Sequence, residues 1–165
     1  MKFIILNFAL FLGWTLSAQT GPGIGLYATG SETGIGFRSG KETRWVLDAR
    51  IAKANVYSEK SKASSITTEL SGVSRIVKLE KVRFHIGIGY RAEWNINTVN
   101  RHGVVVPVGV EAFPFPFQNA GLFFEAAPFV TSDPHQNYYS GIRTSAGLVF
   151  YFLRKAKITN TTTTP

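Results

Sequence analysis

The stretch Val82-Arg-Phe-His-Ile-Gly-Ile-Gly-Tyr-Arg-Ala-Glu-Trp94 decides the fold. Val82, Phe84, Ile86, Ile88, Tyr90, Ala92 and Trp94 share one parity, while Arg83, His85, Gly87, Gly89, Arg91 and Glu93 share the other. A two-residue repeat therefore puts every apolar group on one face and every charge on the opposite one, as a strand does; a helical period would mix them.

The same division recurs on both sides. Val104, Val106, Val108, Val110 and Ala112 oppose Val105, Pro107, Gly109 and Glu111 across residues 103–112. Leu122, Phe124, Ala126, Pro128 and Val130 oppose Phe123, Glu125, Ala127 and Phe129. Toward the C-terminus Ile142, Thr144, Ala146, Leu148, Phe150 and Phe152 oppose Arg143, Ser145, Gly147, Val149 and Tyr151. Upstream, Trp45, Leu47, Ala49 and Ile51 oppose Arg44, Val46, Asp48 and Arg50. Residues 23–29 and 34–39 flank Gly30-Ser-Glu-Thr33 and read as a hairpin, and residues 64–78, which alternate poorly, supply one more strand. The count is eight. Connections at 39–42, 79–81 and 114–119 are mostly short, whereas 53–63, 95–102 and 131–138 are longer and polar.

Before this domain stands Met1-Lys2 and an apolar run from Phe3 to Trp14, followed by Thr15-Leu-Ser-Ala18. A charged start, a run too short to span a bilayer and a small-residue end predict a secretory signal peptide over residues 1–18. No later stretch suits a transmembrane helix, so the exported domain is either soluble or a barrel. The absence of cysteine excludes a disulfide scaffold, a thiolate metal site and a cysteine nucleophile.

Two architectures fit eight alternating strands. A soluble, lipocalin-like barrel holding a small apolar ligand would turn its apolar face inward. A membrane barrel inverts this, and two features favour inversion. The uncharged face ends in Trp45, Tyr90, Trp94 and Phe152, as interface girdles require, and glycines at 87, 89, 109 and 147 share the charged face, where they make room inside a narrow cylinder. No arginine falls on the apolar face of the clear strands, where it would cost about 2–4 kcal/mol at the bilayer midplane. The expected fold is therefore all-β, an eight-stranded antiparallel up-and-down transmembrane β-barrel over residues 19–153.

Ser145-Ala-Gly147-Leu-Val-Phe150-Tyr-Phe152 resembles the assembly signal in the last strand of outer-membrane barrels, with Ser145, Gly147, Phe150 and Phe152 at its polar, glycine and aromatic positions. Together with Val106-Pro-Val-Gly-Val-Glu111, Phe123-Phe-Glu-Ala-Ala-Pro-Phe129 and Gly141-Ile-Arg-Thr-Ser-Ala-Gly147, the chain is similar to the small outer-membrane β-barrels of Bacteroidota, with an architecture like OmpX and the OmpA transmembrane domain. The resemblance implies an outer-membrane location and an N-terminus in the periplasm. It departs at the end, where that family usually stops at its aromatic residue. Here Leu153 to Pro165 follow, and residues 154–165, rich in threonine, predict a disordered periplasmic tail.

On the inward face Arg38, Arg44, Arg50, Arg83, Arg91 and Arg143 mix with Asp48, Glu93, Glu111 and Glu125, and His85 joins them. A cylinder of eight strands is just wide enough for side chains to fill it, so these groups predict a paired, charge-filled, closed lumen. A lipid-modifying enzyme of this size is a further alternative, with a histidine as its base. The lipid A deacylase pattern puts serine two residues after that histidine, but Gly87, Val104 and Asn137 stand there after His85, His102 and His135. With His102 and His135 read as loop residues, neither a catalytic site nor a metal site is expected, and no cofactor. Lys53, Lys60 and Lys62 lack the aromatic interleaving of a nucleic-acid surface despite the net charge of +8. The partners expected are outer-membrane lipid, lipopolysaccharide and the barrel-assembly machinery, with the barrel itself a monomer.

Overall fold

Nine strand segments occupy eight positions of a closed antiparallel ring in the computed structural model, which describes residues 21–54, 65–95, 99–117 and 119–152. They are β1 (Gly23–Thr29), β2 (Glu32–Arg38), β3 (Trp45–Ala54), β4 (Ser65–Lys78), β5 (Val82–Asn95), β6 (Arg101–Val105), β7 (Val108–Ala112), β8 (Ala120–Ser132) and β9 (Tyr138–Tyr151). Neighbouring strand positions pair in chain order, and β1 closes the ring on β9, with Gly23 opposite Tyr151 and Thr29 opposite Ser145.

The segments β6 and β7 are two halves of one strand position, since both pair with β5 and with β8. Sequence alone read one continuous strand there. Pro107 has no N–H to give a ladder, and the regular pairing lapses over two residues. Pairing resumes through the Gly87 N–H, which donates to the Pro107 carbonyl at 2.8 Å, and the Val106 N–H, which donates to Pro128 at 2.9 Å. The wall therefore has a break without a gap.

Burial follows the two-residue repeat around the ring. Ile86, Ile88, Val104, Val108, Phe124, Ile142 and Leu148 are exposed on the outside, while Arg83, His85, Arg91, Glu111, Glu125 and Arg143 are buried within. A water-soluble sheet does the reverse. An apolar wedge of Tyr27, Ala52, Phe113, Phe123, Val149 and Tyr151 shares the interior with the charges.

The inward aromatic rings need glycine beside them. Phe123 stands opposite Gly147 on β9, where an added Cβ would lie 2.6 Å from the ring, and Tyr151 stands opposite Gly23 on β1, where it would lie 2.8 Å away. Phe129 covers Gly141 in the same way at 3.1 Å. Ring over glycine is how a narrow cylinder admits a large side chain without bending its wall.

Three boundaries differ from the sequence reading. The first hairpin turn is only Gly30-Ser31, because the Thr29 hydroxyl accepts the Glu32 N–H at 2.8 Å and starts β2 there. The loop expected over 131–138 shrinks to 133–137 as β8 and β9 run on to Ser132 and Tyr138. His102, expected in a loop, is the second residue of β6 and points outward against Tyr90, with ring centroids 6.4 Å apart. Signal segment 1–18, tail 154–165 and most of the 53–63 loop lie outside the described residues.

Candidate functional site

Alternating charges form a continuous thread through the barrel. Starting at the end that holds Gly23 and Tyr151, Glu111 accepts from Arg75 at 3.2 Å and from Arg38 at 3.4 Å; Arg38 reaches Asp48 at 2.8 Å, and Asp48 also holds Arg50 at 2.8 Å. Arg50 grips Glu125 with two nitrogens, each at 2.7 Å. Glu125 meets Arg143 at 3.0 Å, Arg143 meets Glu69 at 3.0 Å, Glu69 lies 3.8 Å from Arg91, and Arg91 ends the thread on Glu32 at 2.6 Å and Glu93 at 3.1 Å.

Each member arrives by strand parity. Asp48 and Arg50 on β3, Glu69 and Arg75 on β4, Arg83 and Arg91 on β5, Glu111 on β7, Glu125 on β8 and Arg143 on β9 are all inward positions of their strands. Among the described residues six buried arginines thereby face five buried carboxylates of the strands, Glu32, Asp48, Glu69, Glu111 and Glu125, with Glu93 half-buried beside Arg91. An isolated buried ion costs several kcal/mol, roughly what an alternating sequence of contacts can offset. Aromatic faces add to this: Arg38 stacks on Phe123 at 4.7 Å and Arg91 on Phe129 at 5.1 Å. The Tyr151 hydroxyl donates to Glu111 at 2.5 Å.

His85 belongs to this filling. Its Nε2 lies 3.3 Å from Glu125, and packing is so close that a Cβ on Gly109 would come within 2.8 Å of the ring. Among the described residues no group of three His, Asp or Glu side chains is placed to hold a metal ion.

Arg44 is the one predicted lumen residue that the structure puts elsewhere. It has the inward parity, but β3 begins at Trp45, so Arg44 sits in the preceding turn and is exposed; its carbonyl accepts the Arg75 N–H at 2.9 Å. Glu32, Glu69 and Arg75 are lumen members that sequence reasoning missed. Glu32 was assigned to a turn, and β4 alternates too weakly to phase Glu69 and Arg75. Their spacing of six residues, with Val73 on the same parity, was the available signal. In the last strand, Ser145 is buried and Gly147 lies beneath Phe123, while Phe150 and Phe152 face outward and are about half exposed.

The cylinder has two mouths. At the one beside Gly23 and Tyr151, Arg83 donates to the Lys41 carbonyl and to Glu42 at 2.7 Å, and Lys41 and Arg83 both lie against Phe113 at 4.6 and 4.7 Å. Burial pushes the Lys41 ammonium below its ordinary value. Burial also raises the Glu42 carboxyl, but the Arg83 hydrogen bond and charge outweigh it and leave the group below the usual carboxylate range. At the far mouth Arg101 stacks on Tyr139 at 3.6 Å, and Asp133 organises the β8–β9 turn by accepting the His135 and Asn137 N–H groups at 2.9 and 3.0 Å.

No protein-family model matches the chain, and no curated protein matches it. Its fold is similar to that of solved barrels. The N-terminal β-barrel domain of OprF from Pseudomonas aeruginosa superimposes with a TM-score of 0.63 at 10% identity, covering 81% of this chain and 98% of that one. Neisserial surface protein A gives 0.59 at 12% identity, over 81% and 96% of the two chains. A de novo designed transmembrane β-barrel gives 0.57 at 13% identity, over 82% and 98%. The chain thus has the eight-stranded antiparallel up-and-down fold of transmembrane β-barrels.

Proposed function

We propose that this protein is a non-enzymatic integral β-barrel of the outer membrane, closed to wide aqueous flow, which serves the envelope structurally or displays its polar loops. One observation carries the reading: the outer wall is apolar and the lumen is ionic. Leu26, Ile88 and Ile142 are 65%, 65% and 72% exposed, while Arg50 and Glu125 are buried at the centre. Exposed apolar surface on this scale is costly in water and favourable in hydrocarbon. A soluble barrel carrying an apolar ligand would need the opposite arrangement.

The outward aromatics fit two interfaces. Trp45, Phe150 and Phe152 lie toward the end that holds Gly23 and Tyr151, and Tyr90, Trp94 and Tyr138 lie toward the other. Outer-membrane lipid and lipopolysaccharide are then the partners of the wall, the barrel-assembly machinery recognises the last strand, and the barrel acts as a monomer. Ser145, Gly147, Phe150 and Phe152 carry that assembly role, and the Bacteroidota-type kinship rests on residues 106–111, 123–129 and 141–147.

Membrane preparations washed with sodium carbonate test the location, and gel migration before and after boiling tests the folded barrel. Retention in the membrane and a boiling-dependent shift are expected. Release into the wash overturns the reading. Closure is tested in a planar bilayer, where the wild-type barrel should show no large, steady conductance.

A further inference from the structure

Three turns meet at the mouth beside Gly23 and Tyr151, residues 39–44, 79–81 and 113–117, and line a pocket of about 360 Å³. Its lining is unlike the lumen's. Lys41, Lys78, Lys81 and Arg83 stand against only Glu42 and Glu80, so the pocket carries a surplus of two positive charges where the thread above it is nearly balanced. Phe113, Phe115 and Pro116 form an apolar wall.

The floor is already engaged. Arg83 is 5% exposed and spends one terminal nitrogen on the Lys41 carbonyl and the other on Glu42, while its buried Nε has no hydrogen-bond partner among the described residues. The rim differs. Lys78 and Lys81 flank a tight turn fixed by the Leu79 N–H, which donates to Val82 at 2.8 Å, and by the Phe113 N–H, which donates to Lys81 at 2.7 Å. Both lysines are exposed; the Lys78 ammonium donates to the Glu42 carbonyl, and among the described residues the Lys81 ammonium has no ion pair. Ammonium groups arranged around a depression suit a tetrahedral oxyanion, which offers acceptors in several directions; the apolar wall suits a carbon substituent on it.

We propose that this pocket binds a phosphate ester, with Lys78 and Lys81 holding the oxyanion and Phe115 packing on its organic part. The same chemistry is available from a phospholipid headgroup or from a soluble ester. The proposal stands on the geometry of the mouth, independent of where the barrel resides.

Nuclear magnetic resonance of the full mature chain, refolded in a neutral detergent, tests it. Titration with glycerol 3-phosphate should move the amides of 39–44, 79–81 and 113–117 saturably and leave 133–137 still. The pair K78Q and K81Q should weaken binding by about tenfold or more, equivalent to roughly 1.4 kcal/mol, while F115A retains binding of inorganic phosphate and loses preference for the ester. A second arm uses nanodiscs of phosphatidylcholine with and without phosphatidylglycerol. Shifts with the soluble ester assign a soluble source, and shifts only with phosphatidylglycerol assign a headgroup. Absence of saturable shifts from every probe, or titrations unchanged in the double variant, overturns the proposal. Boiling-dependent migration of each sample shows separately whether the barrel has folded.

Discussion

Arg50 closes a two-point ion pair on Glu125 across the barrel, Nη1 to Oε1 and Nη2 to Oε2, each at 2.7 Å. The two residues are 75 positions apart in sequence, so this contact ties β3 directly to the far wall at β8. Glu125 also meets Arg143 at 3.0 Å and His85 at 3.3 Å. It is the carboxylate on which most of the central charge depends.

Glu125→Ala should therefore destabilise the folded barrel by about 3–5 kcal/mol, because it takes one carboxylate from each of the buried Arg50 and Arg143, which keep only Asp48 and Glu69. Replacing Arg50 and Glu125 together by methionine and leucine should cost much less, since no orphaned ion of that pair remains. Urea titration followed by gel migration measures both. Equal losses in the single and double variants would contradict the assignment.

On the outer wall the sign reverses. Leu148 is 38% exposed between Leu26 and Leu122, and arginine there should cost about 2–4 kcal/mol in a bilayer if it lies near the midplane. The same variant in detergent micelles, where the side chain can reach water, should lose far less. Folding yields compared between vesicles and micelles check this.

The ring of Phe123 over Gly147 makes a further variant informative. Gly147→Ala puts a methyl group against the Leu26 carbonyl and 2.6 Å from that ring, so overpacking should destabilise by about 1–3 kcal/mol. Phe123→Leu in the Gly147→Ala background should recover part of the loss. The temperature at which the unboiled band disappears reports the difference.

Asp133 supplies a pH dependence outside the wall. The side-chain hydrogen bond from Asn137 lowers its carboxyl most, and the Asn137 and His135 N–H groups lower it further. A folded value below the unfolded one, about 3.9 for aspartate, means that the turn gains from the charge above that pH and loses the gain as pH falls through the lowered value. Amide exchange at His135 and Asn137 should accelerate at that point. Asp133→Asn should remove the titration.

The parity of residues 82–94 made both faces legible, because every outward residue there is apolar and every inward one is polar or glycine. The phase carried through 103–112 and 121–152 on the apolar outward residues together with Glu111, Glu125 and Arg143, although Val105, Phe123, Ala127 and Val149 are apolar and buried inside. It failed on β4, where Thr67, Ser71, Thr68 and Ser74 put similar polarity on both faces and a bulge between Arg75 and Val77 shifts the register. Glu69 and Arg75 were lost with it. Arg44 shows the complementary failure: parity says which way a residue would point if the strand reached it, but not where the strand begins. The pairing of particular charges was never legible, since Arg50 with Glu125 depends on the diameter and tilt of a closed cylinder.

The join between β1 and β9 sets the order of events in the life of the chain. A ribosome delivers Gly23 long before Tyr151, and until that late residue is made the first strand has an open edge with no partner on one side. No partial product can seal itself, and loss of a few residues from the final strand would leave a split tube whose raw edges seek other chains. Sealing has to await release of the whole polypeptide, so the interval between synthesis and closure is when this protein most needs an escort.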